Sequence, residues 1–491
     1  MGVIFFLKRL TCYVKISFIY DVIASVLSGK RIFMKQILEV NNSVLQIIGK
    51  AKHSDCGYRL SHYTVVEEIE DGFLVFNTLT REMVLLDQDE YANIMKDPYM
   101  HTHWFVVPQN LREKDMALAV RWLQNTKKKK KKRITQYNIY STTDCNARCF
   151  YCFEHGRKRV PMSDEVAYKT AEFIKANCDG RPVSLRWFGG EPLYNTRPLD
   201  IICEALKEAG ITYNSITTSN GYLFNEENVR KCVELWNMRC VVISMDGTEE
   251  VFNKSKRFIY KEGNPYQIVM ENIRRMLENN IMVSIHLNMD FYNLDDLNVF
   301  VEELAQRFAS YDHFTVTTHL IINEKKEWDS YRTLEQWIEL YKAKEQLSQK
   351  LEELGIALRQ NYRLPSKVST NSCMVDDEQS IVITPDGHTG VCEHYSETHY
   401  TGHLDSPERD QAVIDKFRER AADIPECDTC FRYPQCVRLV KNCPYFIPCI
   451  EPERQHWRKR IGKSMVAEYQ RWLNNEQIVD SDEDEQFLEE H

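Results

Sequence analysis

The stretch PVSLRWFGGEPLYNTRPLDIICEALKEAGITYNSITTSNG, residues 182–221, decides the fold. An apolar, strand-like run ends on two glycines. A helical stretch follows, LDIICEALKEAG, and then a second strand-like run that ends at Asn220-Gly221. Strand, helix and strand with short links form a crossover unit, which joins parallel strands. The same alternation continues in both directions. Between about 135 and 325 the strand-like runs are QYNIYST, PVSLRWFGG, YNSITTSNG, CVVISMDG, MVSIHLNMD and FTVTTHLII. Helical stretches such as EVAYKTAEFIKANC, EENVRKCVELW, YQIVMENIRRMLENN and LDDLNVFVEELAQRF separate them. Six such units predict an α/β fold with right-handed crossovers, closed as a partial (β/α)6 TIM-like barrel. Its chemistry is expected at the C-terminal strand ends. Cys145, Gly189, Asn220 and Asp246 all lie there.

The flanks read differently. Residues 57–126 carry three strand-like runs (YTVVEEI, GFLVFNTLT, EMVLLDQ) and two helical patterns, a small α+β module. Residues 1–56 are set apart as an extension, with Met34 as an alternative start and a cleavable signal as the competing reading. Lys8, Arg9, Lys15 and Asp21 keep every apolar run there short of the ~20 residues that span a bilayer. Residues 127–134, rich in lysine, read as a solvated linker. The barrel is assigned 135–360, with a long amphipathic helix at 333–356. A cysteine-dense, loop-like region occupies 361–450, and a helix with an acidic tail 451–491.

Composition is that of a soluble globular chain, 43% hydrophobic and 27% charged over 491 residues. A net charge of -9 argues against a nucleic-acid partner. Sixteen cysteines in so long a chain fit metal ligands in a reducing cytoplasm better than a disulfide framework. Cysteines 12, 56, 178, 203, 232 and 240 sit mostly in helix or strand patterns and read as packing.

The loop after the first strand reads Cys145-Asn-Ala-Arg-Cys149-Phe-Tyr-Cys152. Three thiolates can hold three irons of a 4Fe–4S cubane, which elsewhere takes four. The fourth iron then has an open position, where a small molecule can be activated. Three buried cysteines or a zinc knuckle compete, but zinc usually wants four ligands.

This C-x3-C-x2-C spacing, with Tyr151 before the last cysteine, resembles the signature of the radical S-adenosylmethionine (SAM) superfamily. The resemblance covers about 140–450. It implies that SAM chelates the open iron and is cleaved to a 5′-deoxyadenosyl radical. By the same resemblance Gly189, Gly190 and Glu191 hold SAM's methionine amine. Ser219, Asn220 and Ser244 lie at matching strand ends. Arg257 reaches SAM's carboxylate, with Lys256 as rival, and Leu320 faces the adenine.

The later cysteines resemble a SPASM domain, which carries two auxiliary 4Fe–4S clusters. That makes three clusters in all. Cys373, Cys392 and Cys443 would hold the first auxiliary cluster, and Cys427, Cys430, Cys436 and Cys449 the second. Cys436 and Cys443 stand six residues apart, more than the family's usual gap. Seven thiolates for two clusters leave one iron open to a substrate thiolate, or to His388 or His394. Structural zinc is the competing reading of the whole region. Glu393, beside Cys392, occupies the place of a catalytic base in the sulfatase-maturing branch.

These features imply a peptide or protein maturase, with a flavodoxin- or ferredoxin-type electron donor and no nucleic-acid or membrane partner. The module at 57–126 resembles a leader-peptide recognition domain. Its removal is expected to abolish leader binding and spare SAM cleavage. The rivals are a formylglycine-forming sulfatase maturase and a non-catalytic iron–sulfur protein.

Overall fold

The computed structural model describes residues 34–49, 56–128, 133–154, 156–260, 262–321, 332–358, 362–364, 374, 379–395, 399–406, 408–417, 425–433, 436 and 449–474. Cys12, Cys373 and Cys443 lie outside them, as does most of the lysine run.

The N-terminal module has six strands: β1 (Lys35–Leu38), β2 (Tyr58–Leu60), β3 (Thr64–Ile69), β4 (Gly72–Asn77), β5 (Met83–Leu86) and β6 (Val106–Pro108). Four form an antiparallel sheet in the order β1-β5-β4-β3, and β2 pairs with β6. Strands β3, β4 and β5 are the three runs expected from sequence. Strand β1 is an addition, drawn from the stretch set aside as an extension.

The barrel strands are β7 (Gln136–Thr142), β8 (Val183–Gly189), β9 (Tyr213–Ser219), β10 (Met238–Met245), β11 (Met282–Met289) and β12 (Phe314–Leu320). Each pairs in parallel with the next, in sequence order. Ile139, Leu185, Trp187, Val241, Ile285 and Leu287 point outward into one large core with the crossover helices. The inner face is polar. Register aligns Ser244 with His286 and Thr317, and Asn288 with His319. Closer to the N-terminal strand ends, Ile216, Cys240 and Val242 make a small apolar floor. An apolar jacket around a polar lumen fixes which way each strand turns, because a slip of one residue would invert it.

The sheet does not stop at β7. Strand β13 (Ser380–Ile383) adds to it in parallel, followed by β14 (His388–Gly390) and β15 (Gly402–His403) in antiparallel. A tight turn with Gly387 at φ 86° joins β13 to β14. So part of the region expected to be loop-like extends the barrel sheet.

The helix Glu451–Leu473 lays Met465 and Tyr469 on Ile37, Val65, Leu74 and Phe76 of the N-terminal sheet. Tyr469 also donates to Asp71 at 2.7 Å. No helix among the described residues is long and apolar enough to cross a membrane.

Candidate active site at the mouth of the barrel

The cysteine loop leaves β7 and is held from two sides. The Arg148 amide donates to the Lys256 carbonyl at 2.9 Å, and the Ile259 amide to the Asn146 carbonyl at 2.9 Å. On the other side the Gly190 amide donates to the Thr142 carbonyl at 3.1 Å and the Glu191 amide to the Asp144 carbonyl at 3.0 Å. A Cβ on Gly189 would fall 2.0 Å from the Thr142 carbonyl oxygen, and one on Gly190 2.3 Å from that of Asp144. Both glycines are therefore required by the backbone of the cysteine loop itself.

Cys145, Cys149 and Cys152 are half-buried free thiols. Burial, then the Glu191 carboxylate, pushes Cys145 up to about 12. Burial, then Glu154, pushes Cys152 to about 11. Burial raises Cys149 too, against the pull of Lys256. Asn220 points its amide at the Cys145 sulfur, 3.8 Å away, and donates to Asn146 at 2.6 Å. Buried thiols ionise readily only when a cation supplies the compensating charge. Among the described residues no three Cys, His, Asp or Glu side chains converge as ligands of a single ion. A cubane asks for something else, one thiolate at each of several irons. Three thiols on one pinned loop fit that group.

Glu191 is fully buried. It accepts from the Ser219 hydroxyl at 2.8 Å, the Asn220 amide at 2.9 Å and the Leu193 amide at 3.2 Å. Burial nevertheless pushes its carboxyl up to about 7. Glu191, Ser219 and Asn220 are thus one bonded unit.

Lys256, and not Arg257, occupies the interior. The Lys256 ammonium donates to Ser244 at 2.7 Å and Tyr151 at 2.8 Å, and lies 3.4 Å from Asp246. Tyr151 donates to Asp246, and Asn288 donates to both. Arg257 ends its helix in a left-handed conformation, φ 51°, exposed, with its Nε on the Lys254 carbonyl. Arg257, expected at SAM's carboxylate, thus has its side chain at the surface, and its rival Lys256 has its own inside.

Leu320 is also corrected. It packs toward Trp337, Tyr341 and Ile450, on the helix side of β12. The inner position is His319, whose ring stacks on His286 at 3.9 Å. Burial, then Arg186, lowers His286 to about 3, so it is neutral. Sequence reasoning missed this inner set. The polar residues at every second position of MVSIHLNM (Ser284, His286, Asn288) were the available signal.

Cys392 and Glu393 follow β14. The Tyr140 hydroxyl, on the inner face of β7, donates to the Glu393 carbonyl at 2.6 Å. Arg157, just past the cysteine loop, donates to the His394 carbonyl at 3.0 Å. The Phe153 ring lies 4.8 Å from that of His394. Glu393 Oε2 is buried with no hydrogen-bond partner among the described residues. His388 stacks on Tyr400 and lies 3.2 Å from Asp386. Cys427, Cys430 and Cys436 pack beside Val44, Tyr63, Trp104 and Tyr433. Burial first, with Cys436 and Cys449 adding like charge, pushes Cys430 to about 11. Cys427, Cys430, Cys436 and Cys449 are thiols outside any disulfide, so they also suit a cubane.

Residues 139–304 match the model of the Radical SAM superfamily. The chain contains a radical SAM domain. Such domains work with SAM and a 4Fe–4S cluster, and the cysteine loop lies within the matched residues. A probable GTP 3′,8-cyclase of Methanococcus maripaludis is 28% identical over 165 residues, 33% of this chain and 51% of that protein. The chain thus spans about half the length of that curated relative. Among solved structures, native anSMEcpe with bound AdoMet aligns with a TM-score of 0.52 at 16% identity. It covers 70% of this chain and 99% of that one. The same protein with AdoMet and the Cp18Cys peptide aligns with a TM-score of 0.50. At this identity the likeness is one of fold.

Proposed function

We propose that this radical SAM protein is a peptide or protein maturase, installing a crosslink or a side-chain oxidation. One observation carries the reading. The Cys392–His394 segment is bonded both to the inner wall, through Tyr140, and to the edge of the cysteine loop, through Arg157. A substrate in the lumen would then lie between the radical source and the Glu393 carboxylate. When bound, SAM and the clusters supply a radical that takes one hydrogen atom and a sink for the electron left behind. Glu393 is proposed to take the matching proton, so that two hydrogens leave the substrate in all. Ser244, Asn288, His286 and His319 offer polar contacts to a peptide backbone. Cys427, Cys430, Cys436 and Cys449 are proposed to hold one auxiliary cluster, with Cys392 a ligand of the other. Leader recognition is proposed for the N-terminal sheet, by strand addition at an edge.

The experiment is a mass spectrum. The enzyme is reconstituted anaerobically with SAM, a reductant and short peptides encoded beside its gene, with a sulfatase-type peptide in parallel. Loss of a hydrogen pair from a neighbouring peptide is the expected result. Formylglycine in the parallel reaction alone would overturn it in favour of a sulfatase maturase. Release of 5′-deoxyadenosine separates either from a non-catalytic iron–sulfur protein.

A further inference from the structure

The Cys449 sulfur accepts from an arginine side chain. Cys449 precedes Ile450, the N-cap of the 23-residue helix Glu451–Leu473, and the Ile450 side chain cannot cap the first amides. Glu451 and Glu453 in the first turn offset the amide end of the helix. Arg454, one turn in, carries a full charge. Its Nη1 donates to the Cys449 sulfur at 3.5 Å and to the Cys449 carbonyl at 3.2 Å. Its other edge is locked, with Nε and Nη2 both on Glu451 Oε2, at 3.0 and 2.6 Å. The planar fork therefore has one way to point, and it points at a proposed ligand.

A hydrogen bond or positive charge at a ligating sulfur stabilises the reduced cluster, which carries one more electron. We propose that Arg454 raises the reduction potential of the cluster held by Cys427, Cys430, Cys436 and Cys449, and so sets its readiness to accept an electron. The proposal rests on the auxiliary-cluster reading of these cysteines. Arg454 is a positioning residue, acting on the cluster through Cys449.

The test keeps the two claims apart. The full chain carrying Cys145→Ala, Cys149→Ala and Cys152→Ala is reconstituted anaerobically, so that only auxiliary clusters contribute. Iron content and an EPR-monitored redox titration are then compared with and without Arg454→Gln. The expected result is unchanged iron and one cluster moved to more negative potential. At a fixed ambient potential its reduced-to-oxidised ratio should fall roughly tenfold, equivalent to about 59 mV for one electron. No cluster signal in the parent would overturn the auxiliary-cluster reading itself. A cluster present in both at one potential would overturn the role of Arg454 and leave that reading standing. Should Arg454→Gln lose its iron, Arg454→Met decides. It keeps much of the side chain's bulk and removes both charge and fork, and a potential equal to the parent's would sink the proposal.

Discussion

Lys256 is the residue whose environment separates it most sharply from its neighbour. Its side chain is 2% exposed and is shared among Asp246, Ser244 and Tyr151, whereas Arg257 lies in solvent. Lys256→Met should leave Asp246 a buried, uncompensated carboxylate, at about 3–5 kcal/mol of stability. SAM binding should fall with it. Arg257→Ala should change stability by less than about 0.5 kcal/mol. Chemical denaturation and SAM affinity of the two variants check this, and equal losses would contradict it. Glu191 makes a pH prediction. Its folded carboxyl, near 7, sits above the ordinary 4.5. A raised carboxyl stabilises the fold while protonated, and that contribution is lost as pH climbs from about 4.5 through 7. Between about pH 5 and pH 8 the parent should lose about 2 kcal/mol more than Glu191→Gln. Parallel unfolding curves for the two proteins would refute the assignment.

At the scale of elements, the link between β8 and the cysteine loop is the stiffest joint in the site. Gly190→Ala must push the Asp144 carbonyl away, since the new carbon would stand 2.3 Å from its oxygen. Displacing backbone in a packed region costs about 1–3 kcal/mol. The displaced residue adjoins Cys145, so iron bound at the cysteine loop should fall while iron at the proposed auxiliary sites stays. Iron content and visible absorbance report this, and a full complement in Gly190→Ala would show the loop to be softer than its contacts imply. The helix Glu451–Leu473 meets β3 through Gly462, where an added carbon would come within 2.5 Å of the Glu67 carboxylate. Gly462→Leu should wedge the helix off the sheet, lower the melting temperature and cost about 1–3 kcal/mol. SAM cleavage by the folded fraction should be unchanged.

On the scale of the whole molecule, the N-terminal module is welded to the far end of the chain. Thr78 donates to the Phe431 carbonyl at 2.6 Å, and Lys114 to Asp428 at 2.7 Å. Val44, Tyr63 and Trp104 form the wall on which Cys427, Cys430 and Cys436 rest. Excising the module, expected from sequence to abolish leader binding and spare SAM cleavage, should also expose Met465, Tyr469, Phe431 and Tyr433 and strip iron from the proposed second auxiliary site. Metal analysis and thermal melting of the truncated chain test this. A truncated protein with full iron and an unchanged melting temperature would show the module to be independent after all.

Six barrel strands, their order and the cysteine loop were legible in the sequence because they follow from local pattern. Each strand pairs with its neighbour in the chain, and short links leave few alternatives. Four-residue β13 and β1 carry no such signal, for their partners β7 and β5 lie about 240 and 50 residues away. The same limit applied to direction. A motif can bring Lys256 and Arg257, or His319 and Leu320, to the mouth of the barrel. Only the left-handed turn at residue 257 and the pleat of β12 decide which member of each pair faces in. The joining of the two chain ends around Cys427–Cys449 was likewise a tertiary matter, set by apolar surface that neither end can bury alone.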